Sequence, residues 1–266
     1  MATKETKPIT IEIPEIRKGR LLISVVGTRP LICNRMSEKA RHTLLLPSGR
    51  KTAAEKQSSL KHDPLSEYQA SPYRMPVGSS TLIALMSSAF KGAMSTAALD
   101  LPGTKKAQIG RLVFVESDYT PVYGKPYLFM SVTRSADMNR TPDIRTRAIL
   151  PRWACQLSVT FVQPLLNAQA IYNLLAAAGV SVGVGDWRPE KGKGDYGQFR
   201  IVNADDPELV EILQEGRIVQ ERAMLDPEPY DGESAEMLSW WSDEVKRRGF
   251  DVGQGEDSDE EEETDV

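Results

Sequence analysis

The sequence predicts an α+β protein whose core follows the order β-α-β-β-α-β, with basic hairpin insertions and a helical C-terminal extension. Three observations lead there. Apolar and β-branched runs of strand length recur at 21–26, 109–116, 153–162 and 197–202. Two segments, 81–98 and 167–178, repeat their apolar residues with helical periodicity, and each falls between two of those runs. A glycine-rich stretch, residues 183–202, joins the second helix to the last strand.

The chain has 266 residues, 40% of them hydrophobic, which is enough for one large domain or two small ones. No apolar run reaches the roughly 18 residues a membrane span needs, and the N-terminus lacks an apolar signal core. Cys33 and Cys155 are the only cysteines and lack metal-ligand spacing, so a reducing cytoplasm is expected, with no metal and no cofactor. The net charge of −4 hides an asymmetry: residues 251–266 hold nine acidic side chains and no basic ones. Over residues 1–250, 33 Lys and Arg face the remaining 28 acidic side chains, a net charge of +5. The body is mildly basic, and the tail is too polar to order itself.

Taken in order, residues 1–10 read as a disordered lead, and residues 11–205 as the core with its insertions. Leu21 to Val26 is the first convincing strand, a nearly continuous apolar run that is either central or at the edge of the core. Residues 35–75 are basic and broken by turns, and they read as a partly mobile insertion that touches nucleic acid or is simply a solvated loop. Both histidines, His42 and His62, fall there, far in sequence from any cysteine or paired acids. From Thr81 to Leu99 the stripe Leu82, Leu85, Met86, Ala89, Phe90, Ala93, Met94 reads as a helix that Ser79 or Ser80 caps. Ile109 to Glu116 reads as a strand. A second insertion, 117–150, holds the strand Tyr127 to Val132 and an arginine-rich hairpin. Trp153 to Val162 alternates as a long strand. Asn167 caps the next helix, with Gly179 as its stop. Residues 206–250 are a helical extension: a short helix opened by Asp206-Pro207 and a longer one, Glu233 to Arg248, whose Trp240 and Trp241 suit a docking face.

Two stretches have the composition of a polyanion grip. The hairpin carries Arg134, Arg140, Arg145 and Arg147, with Arg152 just beyond. Arginine suits bidentate phosphate contact and stacking on bases, although Asp137 and Asp143 offer it internal partners instead. The glycine-rich stretch offers backbone N–H groups around Gly183 and Gly185, cations at Arg188, Lys191 and Lys193, and rings at Trp187, Tyr196 and Phe199 for stacking. Its bland alternative is a long connection with solvated charges.

The element order is that of the ferredoxin-like or RRM-like unit. With the stretch 183–185 and 192–202 placed before the last strand, the chain resembles the repeat-associated (RAMP) superfamily, in particular the backbone subunit of CRISPR effector complexes. That resemblance covers residues 20–202. It implies an RRM-like core with a glycine-rich loop and basic hairpins, RNA binding along the phosphate backbone, and assembly into filaments. The chain also resembles phage-borne proteins, which would put it in a host cytoplasm. The acidic tail is similar to those of phage and bacterial single-strand-binding proteins, which points to DNA as readily as RNA. No P-loop, H-E-x-x-H, G-x-S-x-G or EF-hand pattern occurs, and Gly183-x-Gly185 lacks the following glycine of a dinucleotide site, so no enzyme is expected. The expected function is non-enzymatic single-stranded nucleic-acid binding by a homo-oligomer, with the tail competing for the groove or recruiting a protein partner. The alternative is a phage structural or inhibitor-type component that uses the same surfaces for subunit contacts.

Overall fold

The computed structural model of the chain describes residues 15–45, 62–134, 142–192 and 194–249. The expected lead 1–10 and acidic tail 251–266 lie outside the described residues, as do Arg140, Lys193 and the middle of the first insertion.

Strand β1, Arg17–Gly27, is central. Its inward residues Ile23 and Val25 are buried by alternation, while Leu22 on the other face is 76% exposed. It pairs antiparallel on one side with β9, Ala154–Gln163, and on the other with β10, Phe199–Val202. The short β5, Val113–Val115, joins the far edge of β9 to complete a four-stranded sheet in the order β10-β1-β9-β5. Two helices bury their apolar faces against this sheet, α3 (Ser87–Ala97) through Phe90 and Met94, and α5 (Ala168–Ser181) through Ile171, Leu174 and Leu175. Phe199 sits edge-on between Phe90 and Trp153. The Trp153 indole N–H donates to the Arg29 carbonyl at 2.8 Å, so the largest core side chain is also satisfied.

Two smaller sheets draw on the stretches read as insertions, on residues 31–32 and on the start of the expected first helix. β7 (Tyr127–Arg134) and β8 (Pro142–Leu150) form the basic hairpin, and β2 (Leu31–Ile32) pairs with β8. β4 (Ile83–Met86) lies between β3 (Tyr73–Arg74) and β6 (Tyr119–Pro121). The helix expected from Thr81 therefore starts only at Ser87: the apolar run 83–86 is spent in a buried strand with two partners. The strand expected over 109–116 is likewise cut short, because α4 (Lys106–Leu112) occupies its first half. α1 (Glu38–Leu45) and α2 (Pro64–Ala70) fall in the first insertion. Tyr68 on α2 is fully buried and packs into the main core, so this part of the stretch read as an insertion is anchored to the body of the protein.

Asn167 caps α5 as expected, its side chain accepting from the Ala170 amide at 2.8 Å. The helix does not stop at Gly179 but runs on to Ser181, and Gly179 lies flush against the Phe199 backbone. The C-terminal extension holds three helices, α6 (Pro207–Ile212), α7 (Arg217–Leu225) and α8 (Gly232–Arg248). α6 covers one end of the outer sheet face, packing Leu209 and Ile212 on Val26, Ala154 and Val202. No helix among the described residues is long and apolar enough to cross a membrane.

Candidate nucleic-acid interface

The glycine-rich loop is held by its own backbone and by β2 with the residue before it. The Gly197 amide donates to the Pro30 carbonyl at 2.8 Å, and the Asp186 amide to the Ile32 carbonyl at 3.0 Å. Gly185 has φ +83, and a Cβ there would lie 2.6 Å from the Ile32 carbonyl oxygen, so only glycine fits this approach without displacement. The amides of Gly183, Val184, Trp187, Lys191, Gly192 and Tyr196 also donate within the loop or to its flanking helix. Of the expected N–H cradle at Gly183 and Gly185, the Gly183 amide is thus already taken by the end of α5. The two glycines let the chain turn and pack, and the loop's outward chemistry lies in its side chains.

Those side chains divide sharply. Trp187, at φ +48, is held in a conformation that bulky residues rarely adopt, and it remains 37% exposed. Its ring meets Phe129 edge-on at 6.3 Å and Tyr196 at 6.1 Å. Tyr196 is half-buried beneath it. Phe199 is 1% exposed in the main core and takes no part in any surface; its expected stacking role is withdrawn. Arg188 turns back on the loop, pairing with Glu190 at 2.6 Å and donating to the Gly185 carbonyl at 2.9 Å. Burial pushes the Glu190 carboxyl up, but the Arg188 hydrogen bond and the charges of Arg188, Lys191 and Lys106 outweigh it and hold the group below the usual range. Lys191 stays exposed, 4.0 Å from Glu190.

The hairpin meets this loop. Pairing sets Ser131 opposite Arg145 and Phe129 opposite Arg147, so these four share one face. Arg134, opposite Pro142, projects from the other face and does not join them. Arg147 is mostly buried, donates to the Cys33 carbonyl at 3.0 Å and approaches the Asp186 carboxylate at 3.4 Å, so it fastens hairpin to loop. Arg152 lies apart, forked onto Glu211 at 2.9 and 2.7 Å. Arg145 is exposed, and among the described residues no carboxylate pairs with it. Arg145, Phe129, Ser131, Thr133, Asp186 and Trp187 bound a shallow recess where the two projections touch.

One histidine also changes meaning. His62, distant in sequence from any acid pair, lies between Glu67 at 2.7 Å and Asp143 at 3.0 Å, with both ring nitrogens engaged. It ties α2 to the hairpin strand β8; only the fold brings Asp143 to it. Among the described residues no group of His, Cys, Asp and Glu side chains is placed to hold a metal ion. Set against models of known protein families and against curated protein sequences, the chain matches none.

Proposed function

We propose that this protein binds single-stranded nucleic acid without catalysing a reaction, holding the strand by side chains across the junction of hairpin and glycine loop. The observation that carries the reading is the recess itself. There the exposed Arg145, with no carboxylate partner among the described residues, stands beside the exposed ring of Trp187. A free guanidinium next to an aromatic face is the pairing that grips a phosphate and stacks a base. Lys191 adds an exposed charge on the same loop. The order β10-β1-β9-β5, with α3 and α5 packed on one face, supports a ferredoxin-like or RRM-like core. The same order and the loop's position before β10 support kinship with the RAMP superfamily, and with it assembly along the strand.

Titration of fluorescent single-stranded DNA and RNA oligonucleotides across a range of salt tests the reading. Binding that weakens linearly in log K against log salt is expected, and Arg145→Ala should flatten that slope by about 0.7, because one phosphate fewer is neutralised. Absence of binding to any single strand at low salt refutes it. A second reading, a subunit-contact role, draws on the apolar side chains the extension leaves outside: Ile218, Leu225 and Trp240 are each at least two-thirds exposed. Ordered assembly of nuclease-treated protein in light scattering would favour it.

A further inference from the structure

The loop that borders the recess through Asp186 and Trp187 borders a second concave surface through residues 183–185 and Arg188. That surface is one of two depressions, of about 340 and 460 Å³, that share Met86 and Ser88 and join across the start of α3 into one trough. Rings follow one another along it. Tyr73 lines the first depression and Tyr119 the second, with centroids 5.8 Å apart, and Phe114 lies further on. Tyr119 and Phe114 are 39% and 41% exposed, although each belongs to a paired strand.

Cations are spread along the same trough. Lys91 holds its ammonium 4.4 Å from the Phe114 ring centroid, and Lys106 and Arg188 line the other depression. Two carboxylates face them, Asp118 and Glu190, and Glu190 is already engaged by Arg188. At the start of α3 the Ser87 amide donates to the Asp118 carbonyl at 2.9 Å, and Met86 supplies no side-chain acceptor to the amides that follow. Ser117, at φ +67, holds the turn between Phe114 and Tyr119 in a strained conformation. Successive planar rings beside spaced cations match a strand of bases and phosphates. A mixed-sequence peptide has no matching row of planar groups.

We infer that a single-stranded polynucleotide leaving the recess crosses the glycine loop and lies in this trough, with bases on Tyr73, Tyr119 and Phe114 and phosphates toward Lys91 and Lys106. This inference rests on the nucleic-acid reading above and adds a binding surface to it. Photocrosslinking with a 5-bromodeoxyuridine oligonucleotide of about 20 residues, longer than one binding module spans, tests it on the full chain. Adducts on peptides containing Phe114, Tyr119 or Tyr73 are expected. In parallel, Phe114→Ala and Tyr119→Ala should each weaken binding by about 5- to 150-fold, the range for loss of one stacking ring. Lys91→Glu, which reverses the half-buried charge beside Phe114 and leaves the strand sequences intact, should weaken it too. Adducts confined to the hairpin and loop, with wild-type affinity in these variants, would overturn the trough and leave the recess standing. Failure of the wild-type protein to bind any strand at low salt would remove both. Retention of polyglutamate in the trough, undisturbed by oligonucleotide, would assign it to an acidic polypeptide and overturn the inference.

Discussion

Gln220 shows how a single side chain can join three separate pieces of chain. It is fully buried on α7; its Oε1 accepts from the amides of Leu82 and Ile83 at 2.8 and 3.0 Å, and its Nε2 donates to the carbonyls of Val122 and Gly124 at 2.8 and 3.0 Å. All four backbone groups would otherwise be orphaned away from water. Gln220→Leu keeps much of the volume and removes every one of these bonds. Because each buried group left unpaired costs about 1–3 kcal/mol, the variant should lose at least about 2 kcal/mol of stability, read from urea unfolding. A loss within a few tenths would show that the four groups find other partners. No sequence pattern hints at this role. The buried positions of α7 are Gln220, Ala223 and Met224, so no apolar stripe marks its inward face or the helix itself. The arginines are opaque for the same reason, since Glu211 for Arg152 and Asp186 for Arg147 are partners only the fold supplies. Arginine composition is legible, but which guanidinium stays free is not. The opposite facing of Arg134 and Arg145 needs one fact beyond strand alternation, the register that sets Ser131 opposite Arg145.

Among the elements, legibility tracks how local the cause is. α5 carries its periodicity and its Asn167 cap within its own residues, and it forms close to where the pattern puts it. β4 and α3 share one apolar stretch, and nothing local divides them. Pairing of Ala84 with Tyr73 and of Leu85 with Thr120 draws the first part into a sheet, and those partners lie many residues away on either side. α8 ends by local chemistry. Gly249 closes it in the left-handed conformation, and Arg247 and Arg248 both converge on Glu244. Hydrogen bonds from Arg247 and then Arg248 hold the Glu244 carboxyl well below its ordinary value of 4.5, at about 2. A carboxyl depressed on folding supports the folded form above its ordinary value, and that support fades as pH falls toward the depressed one. The last turn of α8 should therefore lose helicity between about pH 4.5 and about pH 2, seen in the amide resonances of Lys246 to Gly249. Glu244→Gln should fray that turn already at neutral pH and remove the acid step. An unchanged step in the variant would place its cause elsewhere.

At the scale of the molecule, the extension reads from sequence as an addition behind a finished core, and the packing argues otherwise. α6 buries Leu209 and Ile212 on the outer face of the four-stranded sheet. α7 reaches the sheet of β3, β4 and β6 through Gln220, and it receives the Tyr68 hydroxyl and the Gln69 amide of α2 on the carbonyls of Ala223 and Met224. The segment before α8 extends the hairpin sheet: Leu128 donates to Glu228 at 2.8 Å, and Tyr230 donates back to Leu128 at 2.8 Å. Each of the three sheets thus has one wall made by residues 206–245. A fully buried Leu or Ile contributes about 1.5–3 kcal/mol, and a domain's entire margin is about 5–15 kcal/mol. Removing Leu209, Ile212, Met224 and Val245 together, along with these hydrogen bonds, exhausts that margin. A chain ended at residue 205 should fail to fold, giving no cooperative urea transition. In the full chain, tryptophan fluorescence and far-UV circular dichroism should trace a single coincident transition, because Trp153 in the core and Trp240 and Trp241 on α8 belong to one cooperative unit. Two separated transitions, or a folded chain of 205 residues, would show that the four-stranded sheet stands on its own. The recess and trough would then also be separable from the extension, and the shortened chain would be the simplest form in which to measure binding.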